Sequence, residues 1–208
     1  MGPDFYVNLR SGSGKGQSAM RKCNIVALIL LMGGPFSLFG QTASTNTLIS
    51  EESPVKWLTF EQAIEKSKTE KRKIFIDVFT DWCGWCKVMD KNTFSEANVA
   101  KILNEKFYPV KFNAEQTEDV VFSGTTFKFV PSGSKGTHQL AAALLNNQLS
   151  YPTVVFLDEE FRMIQPLPGY QKAEDFHRII QFIGEDHFRT QKWAEWVSSY
   201  KSPYTEIK

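Results

Sequence analysis

Cys83 and Cys86 stand three residues apart in Asp81-Trp82-Cys83-Gly84-Trp85-Cys86-Lys87. Two sulfurs at this spacing are suited to making and breaking a disulfide. The run before them, Ile74-Phe75-Ile76-Asp77-Val78-Phe79-Thr80, is rich in β-branched and aromatic residues and predicts a buried strand. The residues after Cys86 carry few breakers and predict a helix, so the pair falls where a strand ends and a helix begins. On a first helical turn, positions i and i+3 have Cβ atoms about 5–6 Å apart. A disulfide needs about 3.5–4.5 Å, so a small adjustment lets the sulfurs bond or part. A helix N-terminus favours thiolate over thiol, and Lys87 is placed to add positive charge. Thiolate is the nucleophile of disulfide exchange, and a second thiol resolves the mixed disulfide. Cys83 at the strand end is expected to be the exposed attacker, and Cys86 the more buried resolver. The same spacing also serves half a zinc site or a structural disulfide. Zinc needs about four N/S ligands. The third cysteine, Cys23, lies in a targeting segment, and His138, His177 and His187 lack ligand spacing. Haem attachment wants a histidine after Cys86, where Lys87 stands. The strand-then-helix context decides for redox, with no metal.

At this point the chain resembles the thioredoxin superfamily, and further positions carry the resemblance. Asp77, upstream of Cys83, matches the family's buried acid. Lys111 in Val110-Lys111-Phe112-Asn113 matches the lysine on the next strand that pairs with it. Tyr151-Pro152-Thr153 matches the cis-proline turn facing the cysteines, and Gly169 matches a late strand-end glycine. The match covers residues 54–184. The dipeptide Gly84-Trp85 departs from the Gly-Pro of cytosolic thioredoxins and from the histidine-containing pairs of oxidants and isomerases. A long insert at 115–150 also separates the third strand from Pro152. The chain is most similar to periplasmic thioredoxin-like proteins of the type of the C-terminal domain of DsbD.

That resemblance implies a thioredoxin-like α/β fold, a central mixed sheet flanked by helices. It implies protein thiols and disulfides as substrates, a membrane electron donor of DsbD type, and no metal or organic cofactor. Asp77 with Lys111 should meet beneath Cys86 and take the proton of the resolving thiol; a structural ion pair is the alternative. Trp82 and Trp85 should wall the site. Pro152 should shape the substrate groove, with the Tyr151 backbone free to pair with an extended substrate.

The rest of the chain is organised around this centre. Its 24 basic and 23 acidic residues nearly balance, so nothing points to nucleic acid. Residues 1–19 read as a disordered extension or upstream read-through. Ser11–Gly16 there lacks the spacing of a phosphate loop. Met20-Arg21-Lys22, then the apolar Ile25–Met32, read as a signal peptide over 20–43, directing the chain to the periplasm or outside. An uncleaved tether is the alternative, though the run is short for a span of about 20 residues. Once the signal is removed, only Cys83 and Cys86 remain as thiols. A polar linker at 44–53 precedes the domain.

Within the domain, Val55–Leu58 predicts a first strand, and Thr59 with Gln62 predicts a capping box on helix Phe60–Thr69. The active-site helix should run to about Asn92 and break at Asn92–Phe94. Ser95 should cap a helix over Glu96–Glu105, followed by strand Phe107–Asn113. In the insert, Val120–Phe122 and Thr126–Val130 predict a hairpin, Pro131–Gly136 a loop and His138–Leu145 a helix. This insert either selects partners or decorates a sheet edge. Strands follow at Val154–Asp158 and Met163–Leu167, then helix Ala173–Ile183 capped by Gly184. A helix over His187–Tyr200 within residues 185–208 is expected as an appendage. The function expected is an exported reductase of protein disulfides. An oxidase or isomerase is the alternative chemistry, and a client-binding module that keeps the fold is the alternative class.

Overall fold

The computed structural model describes residues 54–204. The extension, signal and linker readings, and Cys23 with them, lie outside the described residues. Helix α1 (Phe60–Thr69) leads into β1 (Lys73–Phe79), α2 (Gly84–Met89), a π-turn (Asp90–Phe94), α3 (Ala97–Lys106) and β2 (Phe107–Asn113). Two hairpins follow, β3 (Val120–Phe122) with β4 (Thr125–Phe127) and β5 (Phe129–Ser132) with β6 (Lys135–His138). Then come α4 (Gln139–Leu144), β7 (Thr153–Leu157), β8 (Met163–Pro168), α5 (Ala173–Gly184), a short helical turn (His187–Arg189) and α6 (Trp193–Ser199).

The main sheet has the order β2-β1-β7-β8, with β1 parallel to β2 and the other pairs antiparallel. Alternation along β1 builds two cores. Ile74, Ile76 and Val78 join Val110, Phe112, Val155 and the apolar stripes of α1 and α4. Phe75 joins Val154, Phe156, Leu103, Phe176 and Ile180 on the opposite face, under α3 and α5. Asp77 shares the parity of Phe75, so it enters this second, aromatic core. The mixed sheet with helices on both faces is the architecture expected from the sequence.

Local chemistry explains most boundaries. The Thr59 hydroxyl accepts from Gln62 N at 3.2 Å, and the Gln62 side chain accepts from Thr59 N at 2.9 Å, closing the capping box. Ser123 and Gly124 both take positive φ, which matches the twist of a two-residue hairpin turn between β3 and β4.

Several expectations are corrected. Val55–Leu58 is not a strand; it touches the sheet through one bridge, Leu58 to Val110, where Leu58 N donates to Pro109 O at 2.8 Å. Pro109 offers no N–H of its own on this edge, so longer pairing is blocked. Ser95 does not cap α3; its hydroxyl donates back to Lys91 O, and Glu96 holds the cap position. Pro131–Gly136 is not a loop but the body of the second hairpin. The Phe129 ring lies over Gly136, where a Cβ would come within 2.0 Å of Cζ, so any larger residue there must displace the ring. Gly184 stays inside α5, and the left-handed residue that ends the segment is Asp186 (φ 63°).

The predicted C-terminal appendage is part of the core. His187–Tyr200 splits into a short turn and α6, and Trp196 is only 5 % exposed. Its indole packs against Phe182 at 5.2 Å, Tyr200 at 5.2 Å and Trp193 at 5.7 Å. Trp196→Ala should therefore cost about 3–5 kcal/mol of stability, the range for emptying a buried aromatic site. Urea denaturation would read this directly, and a loss under about 1 kcal/mol would return the segment to the status of a decoration.

Candidate active site

β1 delivers the site. Its end passes through Thr80 into Asp81-Trp82, and Cys83 N donates to Thr80 O at 3.0 Å. Cys83 occupies the cap position of α2, its sulfur accepting from Cys86 N at 3.1 Å. The two sulfurs are bonded to each other. Cys83 is 5 % exposed and Cys86 3 %. The expected contrast between an exposed attacker and a buried resolver is thus absent in the disulfide form, where both residues are buried. Lys87 is exposed on α2.

The surface around the disulfide is aromatic. Trp82 and Trp85 flank Cys83 and are 59 % and 62 % exposed, so both indoles are open to solvent. Trp82 meets Tyr151 edge-on at 5.9 Å, and Trp85 meets Tyr170 at 5.5 Å. Tyr151–Pro152 is cis, and Pro152 O accepts from Gly169 N at 2.8 Å. Gly169 has φ +90°, a conformation that favours glycine, which is the physical content of the strand-end glycine.

β1, β2 and the π-turn bring together a cluster of one cation and two acids. In the parallel register of β1 and β2, Asp77 stands directly beside Lys111, so their side chains leave the same face. Lys111 Nζ donates to Asp77 Oδ2 at 2.5 Å. The Asp77 side chain is 2 % exposed, and its Oδ1 has no hydrogen-bond partner among the described residues. Burial pushes the Asp77 carboxyl up to about 6, with Lys111 pulling it down and Asp90 pushing it up. Lys111 also donates to Asp90 Oδ1, and its ammonium lies over the rings of Trp57 (5.0 Å), Phe79 (5.0 Å) and Phe94 (5.5 Å).

Three site neighbours escape the sequence reading. Asp90 reads as an ordinary polar helix residue, yet it lies four after Cys86 and so shares its helix face, a spacing that was available as a signal. Glu115 accepts from Trp82 Nε1 at 3.0 Å, and with burial it raises the Tyr151 phenol above its ordinary value. Lys135, at the start of β6, sets its ammonium 5.4 Å above the Trp82 ring. The second hairpin of the insert therefore reaches the site. The first packs instead on α1, where Phe122 meets Phe60 edge-on at 5.0 Å.

Comparison with known proteins gives the family. Residues 38–183 match the family model Thioredox_DsbH, described as a protein of unknown function, DUF255. The chain belongs to this family. Its relatives include an uncharacterized protein of Caenorhabditis elegans, 34 % identical over 171 residues, covering 81 % of this chain and 21 % of that protein. The thiol:disulfide interchange protein DsbD of Pseudoalteromonas atlantica is 30 % identical over 115 residues, covering 48 % of this chain and 18 % of that protein. This Thioredox_DsbH member thus spans about a fifth of the length of these curated relatives. Among solved structures, a DsbH oxidoreductase aligns with a TM-score of 0.48 at 15 % identity, covering 73 % of this chain and 96 % of that one.

Proposed function

We propose that the chain is a thiol–disulfide oxidoreductase working outside the cytoplasm, and that it runs as a reductase of protein disulfides. The observation that carries this reading is the Cys83–Cys86 disulfide at the strand-to-helix junction, with a buried carboxyl, Asp77, on the strand that leads into it. In the reduced chain, the Cys83 thiolate attacks one sulfur of a client disulfide. That S–S bond breaks, the second client sulfur leaves as a thiolate and takes a proton from water, and a mixed disulfide forms. Cys86 then gives its proton to Asp77 and attacks Cys83 Sγ. The client's remaining sulfur is released, and the Cys83–Cys86 bond closes. Two electrons pass from the dithiol to the client. Asp77 Oδ1 is the oxygen available to the proton, since Oδ2 is engaged by Lys111. Trp82, Trp85, Tyr151 and Pro152 would receive the client backbone and side chains.

Export rests on the basic-then-apolar segment Met20–Met32. The direction of transfer and a membrane dithiol donor of DsbD type rest on the likeness to DsbD. The testing experiment supplies the full-length chain with dithiothreitol and a disulfide-bonded protein, then with a reduced, unfolded protein and no reductant. Faster reduction in the first arm is the expected result. Faster oxidation in the second would assign an oxidase or isomerase. Acceleration in neither would leave a client-binding module.

The insert gives a second expected outcome. Trp82 is held on three sides, by Glu115, Lys135 and Tyr151, so the insert orients the wall against which a protein client would lie. Lys135→Ala should raise KM for a protein disulfide about two- to fivefold, the worth of an exposed cation–π contact. Exchange with glutathione, too small to span the groove, should be unchanged. Equal effects on both substrates would assign Lys135 no part in client selection.

A further inference from the structure

Lys111 is one cation between two carboxylates. Asp77 comes from β1, is 2 % exposed and bonds through Oδ2; Asp90 comes from the π-turn, is 44 % exposed and bonds through Oδ1. Lys111 itself is 23 % exposed. Trp57, Phe79 and Phe94 surround the ammonium, so its position is set by rings on one side and by the two acids on the other. Phe94 belongs to the same π-turn as Asp90, and Thr93 of that turn donates to Gln171 O at 2.6 Å, which anchors it to the loop before α5.

We propose that Asp90 is a positioning residue for the resolving step: by sharing the Lys111 ammonium with Asp77, it keeps the buried carboxylate able to accept the Cys86 proton. This rests on the reading of Asp77 as the acceptor in disulfide exchange. An Asp77 that owned Lys111 alone would be held as a fully paired anion and would be a poor base at neutral pH. An Asp77 with no cation would stay protonated and could accept nothing. A half-exposed acid four residues after Cys86 divides the lysine between two anions and leaves Asp77 in between. The charged groups facing Asp77 among the described residues are Lys111 from β2 and Asp90 from the π-turn. Cys86, four residues before Asp90 in the chain, is uncharged while bonded to Cys83. The direction of each influence agrees, since burial raises Asp77, Lys111 lowers it and Asp90 raises it.

The test titrates the Asp77 carboxyl carbon by NMR in the full-length oxidised wild type, in Asp90→Asn and in Asp90→Glu. Asp90 is half exposed, so neither variant empties the core. In Asp90→Asn the Asp77 midpoint should fall by about one pH unit, a tenfold change in proton affinity. The pH profile for release of a preformed mixed disulfide should move down with it. Asp90→Glu should restore the wild-type midpoint. An Asp77 that titrates at the wild-type pH in Asp90→Asn overturns the proposal and leaves the oxidoreductase reading standing. A wild-type chain that exchanges no disulfides while the midpoint still moves overturns that reading, and with it any role of Asp90 in a resolving step.

Discussion

Full-length Cys86→Ser protein, reduced and mixed with a disulfide-bonded client, is expected to accumulate as a covalent mixed disulfide through Cys83. Cys83 caps α2 just after β1, where the Cys86 N–H points at its sulfur, and Cys86 lies one turn further in. Serine in place of Cys86 keeps the shape of the turn but cannot attack a disulfide, so the reaction stops after its first bond exchange. The reciprocal variant Cys83→Ser loses the attacking atom, and catalysed exchange should fall about a thousandfold or more, to the background rate. Non-reducing electrophoresis with mass spectrometry of the adduct checks both. Capture by Cys83→Ser equal to that by Cys86→Ser would reverse the roles of the two sulfurs.

Asp77→Asn is expected to make the protein more stable and slower. A carboxyl whose folded value is raised from 3.8 to about 6 binds more protons folded than unfolded. Its stabilising share is fully present below about pH 4 and is lost as pH rises through about 6. Above that, the buried anion costs about 3 kcal/mol relative to a group that never ionises. Asparagine removes this cost. Asp90 still pairs Lys111, so the change leaves no cation stranded. Urea denaturation at pH 8 should show Asp77→Asn more stable by about 3 kcal/mol, with the gap closing near pH 4. The acids Asp158 and Asp186, held below their ordinary values by Arg162 and by Lys73 with Arg189 against the opposing effect of burial, titrate alike in both proteins and cancel in the difference. The resolving step should slow about a hundredfold, as removal of a general base does. Unchanged or lower stability at pH 8 would mean that Asp77 is a settled structural ion pair.

The strands were legible because each strong strand has a one-sided or fully buried pattern. Phe107–Asn113 was readable to the residue, and β1 nearly so. The capping box at Thr59 was legible because its two partners are adjacent in sequence. What the sequence hid was tertiary. Ser95 looks like a cap until the π-turn brings Lys91 O within its reach. Pro131–Gly136 has loop composition, yet its residues pair in an antiparallel ladder with the Phe129 ring lying over Gly136. The aromatic stripe Phe188, Trp193, Trp196 and Val197 was visible, but whether it covered the domain or faced outward depended on α5 offering Phe182. The Cys83–Cys86 disulfide and the Asp77–Lys111 ion pair were legible because their members lie on β1, the turn and helix that follow it, and β2. Glu115, Lys135 and Asp90 were not, since two come from the 115–150 insert and reach the site only through the fold, and the third from a π-turn in the helix ladder.

The equilibrium reduction potential of Cys83–Cys86 in the full-length chain decides whether the protein works as a reductase. It would be titrated against dithiothreitol and glutathione and read by the fluorescence of Trp82 and Trp85, which flank the attacking sulfur. A reductase with this site should lie near the thioredoxin end of the scale, about −270 mV. A value toward about −120 mV, the range of strong disulfide donors, or a pair that does not cycle with either thiol, would contradict the account.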